Sequence, residues 1–193
     1  MIFLDVETQN FFSAVNEDGV LNLSDIKVSF VGAYDDKKDE FFSFWEKDIP
    51  QLEELVKNAD GVVGYNIWSF DYGVLSAYFS LDPWMLPTID LMVAMKKTVG
   101  FRPKLDDLAK ANFNTGKIGK GVDAIEYWQN GELEKLEKYC LEDVRLTYEV
   151  WKVGAKTGKV KYYDRSGFIK ETLIDWNEGF QQKVDETVQG RLL

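Results

Sequence analysis

Histidine is missing from the 193-residue sequence altogether, and cysteine occurs once, as Cys140. The first absence excludes Ser-His-Asp and Cys-His catalysis, imidazole acid–base chemistry and His-containing zinc sites. The second excludes an intrachain disulfide and a thiolate-built zinc or iron–sulfur centre, and is compatible with a reducing compartment. A metal site must then be built from oxygen ligands, which suits Mg²⁺, Mn²⁺ or Ca²⁺. Long apolar runs are lacking too: none approaches the roughly 18 residues of a membrane span, so no membrane partner is expected. The first strand pattern starts at Met1, so no secretory signal is expected and the cytoplasm is the default location. Positive charge is scarce, with 23 Lys and Arg against 33 Asp and Glu, and the resulting net charge of −10 argues against a nucleic-acid partner.

What is present qualifies that last exclusion. Residues 96–120 gather seven cations (Lys96, Lys97, Arg102, Lys104, Lys110, Lys117 and Lys120) against Asp106 and Asp107, a local charge of +5 that leaves −15 elsewhere. The cluster reads either as a solvated helix face or as a phosphate-binding flank on an acidic body. Apolar residues make up 45% and aromatics 15%, enough for one domain with a sizeable core. No repeat or low-complexity segment interrupts it.

Hydrophobic periodicity sets the element order. Residues 1–6 read as a buried strand, followed by a polar loop to about Asp25. Ile26–Tyr34 and Glu40–Trp45 read as an antiparallel hairpin lying on that strand, turned through the charged run at 35–39. Asp48 is placed to cap a helix over 49–58, with Pro50 in its first turn. A short strand at Gly61–Tyr65, a helix over Ser69–Phe79 and a strand at Leu86–Asp90 follow. Helices are expected near 89–97, 104–112, 122–130 and 132–154. Lys159–Tyr163 and Phe168–Ile174 flank a turn signal, and 175–193 is polar enough for a loose helix. Antiparallel strands followed by strand–helix alternation predict an α/β layer fold with a mixed sheet.

Three stretches carry chemistry. In Met1-Ile2-Phe3-Leu4-Asp5-Val6-Glu7-Thr8, Asp5 and Glu7 are two apart and project to one face, about 6–7 Å apart along the strand. Acids so placed oppose each other's ionisation unless a cation lies between them, although an exposed strand end would leave them in solvent. In 64–75, Asp71 opens a helix within an Asn66-x₃-Phe70-Asp71 pattern, where an acid also serves as a cap or dipole partner. In 138–151, Tyr139 and Asp143 share a helix face bordering the stripe Leu133, Leu136, Cys140, Val144, Thr147 and Trp151. Asp143 is therefore expected to be partly buried, paired with a lysine or bound to a metal.

In this order, Asp-x-Glu on a strand, Asn-x₃-Phe-Asp at a helix start and Tyr-x₃-Asp on a late helix resemble the three motifs of the DEDD 3′–5′ exonucleases of ribonuclease H-like fold. The tyrosine resembles the DEDDy branch of these DnaQ-like enzymes. The resemblance covers about residues 1–151, and "KLDDLAKANF" with "YCLEDV" is similar to stand-alone or helicase-attached domains of this kind; "KVKYYDRSG" with "DW" is a looser match to their tails. It implies an α/β fold with a five-stranded mixed sheet, three strands antiparallel and two parallel, flanked by helices. It also implies a domain over 1–157 with a hairpin and tail over 158–193 packed on it.

The resemblance further implies that Asp5, Glu7, Asp71 and Asp143 bind two divalent cations, Mg²⁺ or Mn²⁺, around a scissile phosphate. Asp5 would bridge them, Glu7 and Asp143 would hold the nucleophile-side ion, and Asp71 the second. Tyr139 would orient and help deprotonate the attacking water, with the metal doing most of the activation because a phenol of pKa near 10 is a poor base unaided. The expected partner is the 3′ end of a single-stranded nucleic acid, DNA somewhat before RNA, with a helicase or polymerase acting in trans. Thr8, Asn66 and Phe70 are candidates for the terminal nucleotide, or else for loop, turn and core roles. Arg102, Lys104, Lys117 and Lys120 are candidates for the phosphates upstream, and Tyr and Trp side chains for base stacking. Alternatives in view are an endonuclease or structure-specific nuclease serving a helicase or recombination system, and a silent nucleic-acid-binding module; no motif acid is missing, which disfavours the latter. A Ca²⁺-binding structural domain lacks the EF-hand pattern.

Overall fold

A computed structural model describes residues 1–10, 22–114 and 121–183. Six strands form a mixed sheet in the order β3-β2-β1-β4-β5-β8. β1 (Ile2–Thr8), β2 (Val28–Asp35) and β3 (Glu40–Trp45) form an antiparallel meander, while β4 (Val62–Gly64) and β5 (Thr88–Asp90) run parallel to β1. This is the expected α/β architecture, with one strand more. The extra strand, β8 (Phe180–Gln181), pairs antiparallel with β5 from a segment whose polarity predicts only a loose helix. That segment instead forms a 3₁₀ turn, Trp176–Gly179, and then β8; residues 184–193 lie outside the described region.

Strand alternation assigns the two faces. Ile2, Leu4 and Val6 pack on one side against α1 (Ile49–Lys57) and α2 (Asp71–Leu75), with Leu52, Val56, Tyr72 and Leu75. Phe3 points to the other side, into a core with Leu91 and Met95 of α3 (Leu91–Val99), Leu105 and Leu108 of α4 (Leu105–Phe113) and Leu146 and Val150 of α6 (Leu133–Thr157). Period two therefore sends Asp5 and Glu7 to the α6 side. α5 (Gly121–Gln129) closes a third cluster in which Ala124 meets Phe30, Leu136, Tyr139 and Cys140. Beyond α6, β6 (Lys159–Tyr163) and β7 (Ile169–Leu173) pair as an antiparallel hairpin, a two-stranded sheet of its own.

Three local readings need correction. The helix expected over Ser69–Phe79 is only five residues long. The Ser76 hydroxyl donates back to the Gly73 carbonyl, the next amides close i−3 turns, and Glu53 captures the Ser80 and Leu81 N–H groups, so the helix cannot continue. Asp48 precedes α1, but its carboxylate accepts from the Trp45 N–H behind it and caps nothing ahead. Leu133, assigned to the buried stripe of α6, is 41% exposed because it lies in the first turn. Among the described residues no helix is long and apolar enough to cross a membrane.

Candidate metal centre

Each acid reaches the site by a different local device. On β1, Asp5 pairs with Gly32 of β2, while the parallel partner β4 reaches only Ile2 and Phe3. A Cβ on Gly32 would lie 3.1 Å from Val144 Cγ2 and 3.2 Å from Cys140 Sγ, so glycine is what lets α6 descend onto the sheet here. That close approach brings Tyr139, Cys140 and Asp143, all nearly fully buried, against β1. One carboxylate oxygen each of Asp5 and Glu7 and the Cys140 sulfur lie within 4.8 Å of one another, and the thiol contacts the Asp5 carbonyl at 3.4 Å. Past Glu7 the register with β2 slips by one residue before Thr8, a bulge of the kind that re-aims a side chain.

Asp71 arrives from the opposite face. Its Oδ1 accepts the Val6 N–H at 2.9 Å, so the second stretch is hydrogen-bonded to the backbone between the two acids of the first. Asp71 does open a helix, as the sequence predicts, yet its carboxylate serves β1. The turn delivering it is set by Asn66, whose φ of 69° lies in the left-handed region and whose carbonyl accepts from Ser69 and Phe70.

That turn is clamped by Asp90, which sequence reasoning passed over. The fully buried Asp90 carboxylate accepts the N–H groups of Asn66 (3.0 Å) and Trp68 (3.2 Å) and also those of Met92 and Val93 at the start of α3. An Asp directly before an apolar periodic run is an N-cap signal, so its capping half was legible. The grip on the preceding turn was not.

The electrostatics record the crowding. Burial and then the charge of Asp5 push the Asp71 carboxyl well above the usual carboxylate range. Burial pushes the Tyr139 phenol far up, with Asp143, Glu7 and Asp5 adding to it. The Cys140 thiol is likewise raised, by burial first and then by Asp5, Glu7 and Asp143. The four predicted acids and the tyrosine thus share one electrostatic neighbourhood. Hard carboxylates brought to β1 by three elements are a donor set that fits divalent cations, which would offset the repulsion these shifts reflect.

The substrate candidates divide. Thr8 is buried at the end of β1, Asn66 does turn work, and Phe70 packs partly on the core beside α2. Trp68 is core-packed against Tyr72. Arg102 and Lys104 are exposed on the loop before α4, whereas Lys110, in the same basic stretch, is paired with Asp106. Lys117 and Lys120 lie outside the described residues.

A family model described as the RNase H superfamily matches residues 2–153, most of the chain and all of the acids above. The chain belongs to the RNase H superfamily. No curated protein matches it significantly. Membership in the RNase H superfamily points to a nuclease, hence a hydrolase with nucleic acid as its substrate class, in a family that usually employs divalent metals. The acidic group at Asp5 and Glu7 is placed to serve such ions in this RNase H-like chain.

Proposed function

We propose that this chain is a metal-dependent 3′–5′ exonuclease that releases nucleoside 5′-monophosphates, acting on DNA before RNA. The carrying observation is that the Tyr-x₃-Asp helix meets the Asp-x-Glu strand, with Asp71 hydrogen-bonded between them. Asp5, Glu7, Asp71 and Asp143 are the residues that would hold two cations. Bound there, such ions supply charge stabilisation to the attacking and leaving oxygens of an in-line phosphoryl displacement.

The protein's own contribution is positioning. The Val6 N–H fixes which oxygen of Asp71 faces the cluster and keeps that carboxylate in register with Asp5 and Glu7. Asp90 holds the turn in front of Asp71 without entering the cluster. Tyr139 keeps its proton at neutral pH, so it acts by donating a hydrogen bond, to water or to a phosphate oxygen, and not as the base. Gly32 sets the height of α6 and with it the spacing of Tyr139 and Asp143 from β1.

The test uses 5′-labelled single-stranded DNA, duplex DNA and RNA with Mn²⁺ or Mg²⁺, comparing wild type with Asp5→Ala and Asp143→Ala. A ladder shortening stepwise from the 3′ end and absent from both variants is expected. Internal cuts at early times, or cleavage untouched by either substitution, overturn the proposal.

A further inference from the structure

The β6–β7 hairpin lies beyond the family-matched region, which ends at residue 153, and no part of the metal centre uses it. One of its faces is nevertheless chemically distinctive. Tyr162 and its register partner Lys170 share that face. Phe101, on the loop before α4, packs against Tyr162 at 6.1 Å between ring centroids. The Arg165 guanidinium sits over the Phe101 ring at 5.6 Å from its centroid. Phe168, two residues from Lys170, is 66% exposed, far more than packing would leave a phenylalanine.

The tip holding these groups is stiff. Asp164 Oδ1 accepts the N–H groups of Ser166 and Phe168, and Gly167 takes a φ of 81° to close the turn. Asn112 of α4 binds both the N–H and the carbonyl of Lys161, fastening the hairpin to the body. The exposed ring is therefore held out, at low entropic cost to any ligand that stacks on it.

Charge points the same way. Residues 159–173 carry four cations against two acids, and the loop at 100–104 adds Arg102 and Lys104 unopposed, a local +4 on a chain of −10. Glu171 is already paired with Lys159, and Asp164 is committed to the turn. Among the described residues Arg102, Arg165 and Lys170 form no side-chain ion pair with an acid. The surface also adjoins the catalytic region: the Tyr65 hydroxyl, next to the Asn66 turn, donates to the Pro103 carbonyl at 2.5 Å.

We propose that this hairpin face and the Phe101 loop form a stacking platform for single-stranded nucleic acid upstream of the 3′ end. Aromatic faces interleaved with unpaired cations suit successive bases and phosphates of a single strand; a duplex hides its base faces from them. The identity of the occupant rests on the nuclease reading, but the binding test does not depend on cleavage.

The probe is a 5′-fluorescein dT20, titrated by anisotropy in EDTA over 25–200 mM salt against wild type, Phe168→Ala, Phe168→Trp and Arg165→Ala/Lys170→Ala. Phe168→Ala is expected to weaken binding about tenfold, within the range found for one stacked base, while Phe168→Trp binds as wild type. The double charge variant is expected to flatten the slope of log K against log salt by about 1.4, roughly 0.7 per lost phosphate contact. In Mn²⁺, the same variants slow dT20 hydrolysis but leave a nucleoside p-nitrophenyl phosphate ester unaffected. Unchanged dT20 affinity in Phe168→Ala, or an equal slowing on the short ester, overturns the platform. So does tighter binding of a duplex, or of a poly-glutamate peptide that both substitutions weaken. If wild type binds dT20 as expected yet hydrolyses neither substrate, the exonuclease proposal fails and the platform stands.

Discussion

Replacing Asp5 with asparagine isolates the charge that the four-acid cluster must tolerate. An Asp5 oxygen and a Glu7 oxygen lie within 4.8 Å. Two unit charges at that spacing repel by about 3.5 kcal/mol at an effective dielectric near 20, and by about 1 kcal/mol in bulk water. Asparagine keeps the shape and an oxygen acceptor for the Cys140 thiol, which approaches Asp5 Oδ2 at 3.6 Å, and removes the charge. In EDTA, Asp5→Asn is expected to be more stable than wild type by about 1–3 kcal/mol, which for a chain of this size is about 3–10 °C in Tm. Mn²⁺ at about a hundred times its Kd should then stabilise wild type by about 2.7 kcal/mol and the variant by much less, closing or inverting the gap. Circular-dichroism melts at pH 7.5, with EDTA and with Mn²⁺, read both arms. A lower Tm for Asp5→Asn in EDTA, or equal Mn²⁺ shifts, refutes the reasoning that these acids are held together against their own repulsion.

Other expectations concern the supports of the site. Gly32→Ala should destabilise by about 1–3 kcal/mol through overpacking against Val144 and Cys140 and should lower kcat, read by denaturant melts and single-turnover hydrolysis; unchanged values would show that α6 can lift freely. Asp90→Asn turns an amide group toward four N–H donors and should cost about 1–3 kcal/mol or more; hydrogen exchange should quicken at Trp68 and Met92, and protection there equal to wild type counts against the clamp. Glu53 supplies a pH test. Burial by itself would raise its carboxyl, but hydrogen bonds from Ser80 and Leu81 and the Lys57 ammonium outweigh it and hold the pKa at about 2, against 4.5 in the unfolded chain. A depressed carboxylate stabilises above its unfolded value and loses that contribution as pH falls through the folded one. Wild type should therefore lose roughly 2 kcal/mol between pH 5 and 2 that Glu53→Gln does not, and parallel pH profiles would contradict the assignment.

What the sequence disclosed depended on whether a signal was periodic. Asp5 and Glu7 could be placed on one face because strand alternation is strict, and Tyr139 and Asp143 because helical spacing is. Asp71 was recognisable only as a helix-start acid; its bond to the Val6 N–H joins residues 65 apart and leaves no local trace. Gly32 was silent for the same reason, since its meaning lies in a helix more than 100 residues later. β8, two residues long with Phe180 half exposed, has no periodicity at all and exists because β5 offers it an edge. The Phe101–Arg165 contact likewise joins segments that each read alone as ordinary loop and turn.

The end of the family match at residue 153 is not where the molecule ends as a folded object. Trp176 lies against Gly154 of α6, its indole N–H bonded to the Trp151 carbonyl, and Gly179 abuts the Asp90 carbonyl so closely that a Cβ there would collide with it. A chain cut at 153 would bare the β5 edge, a ready template for strand-to-strand aggregation, and unback the residue that clamps the Asp71 turn. Family-matched length is therefore a poor guide to the smallest soluble, active fragment of this protein: that fragment has to run at least through Gln181.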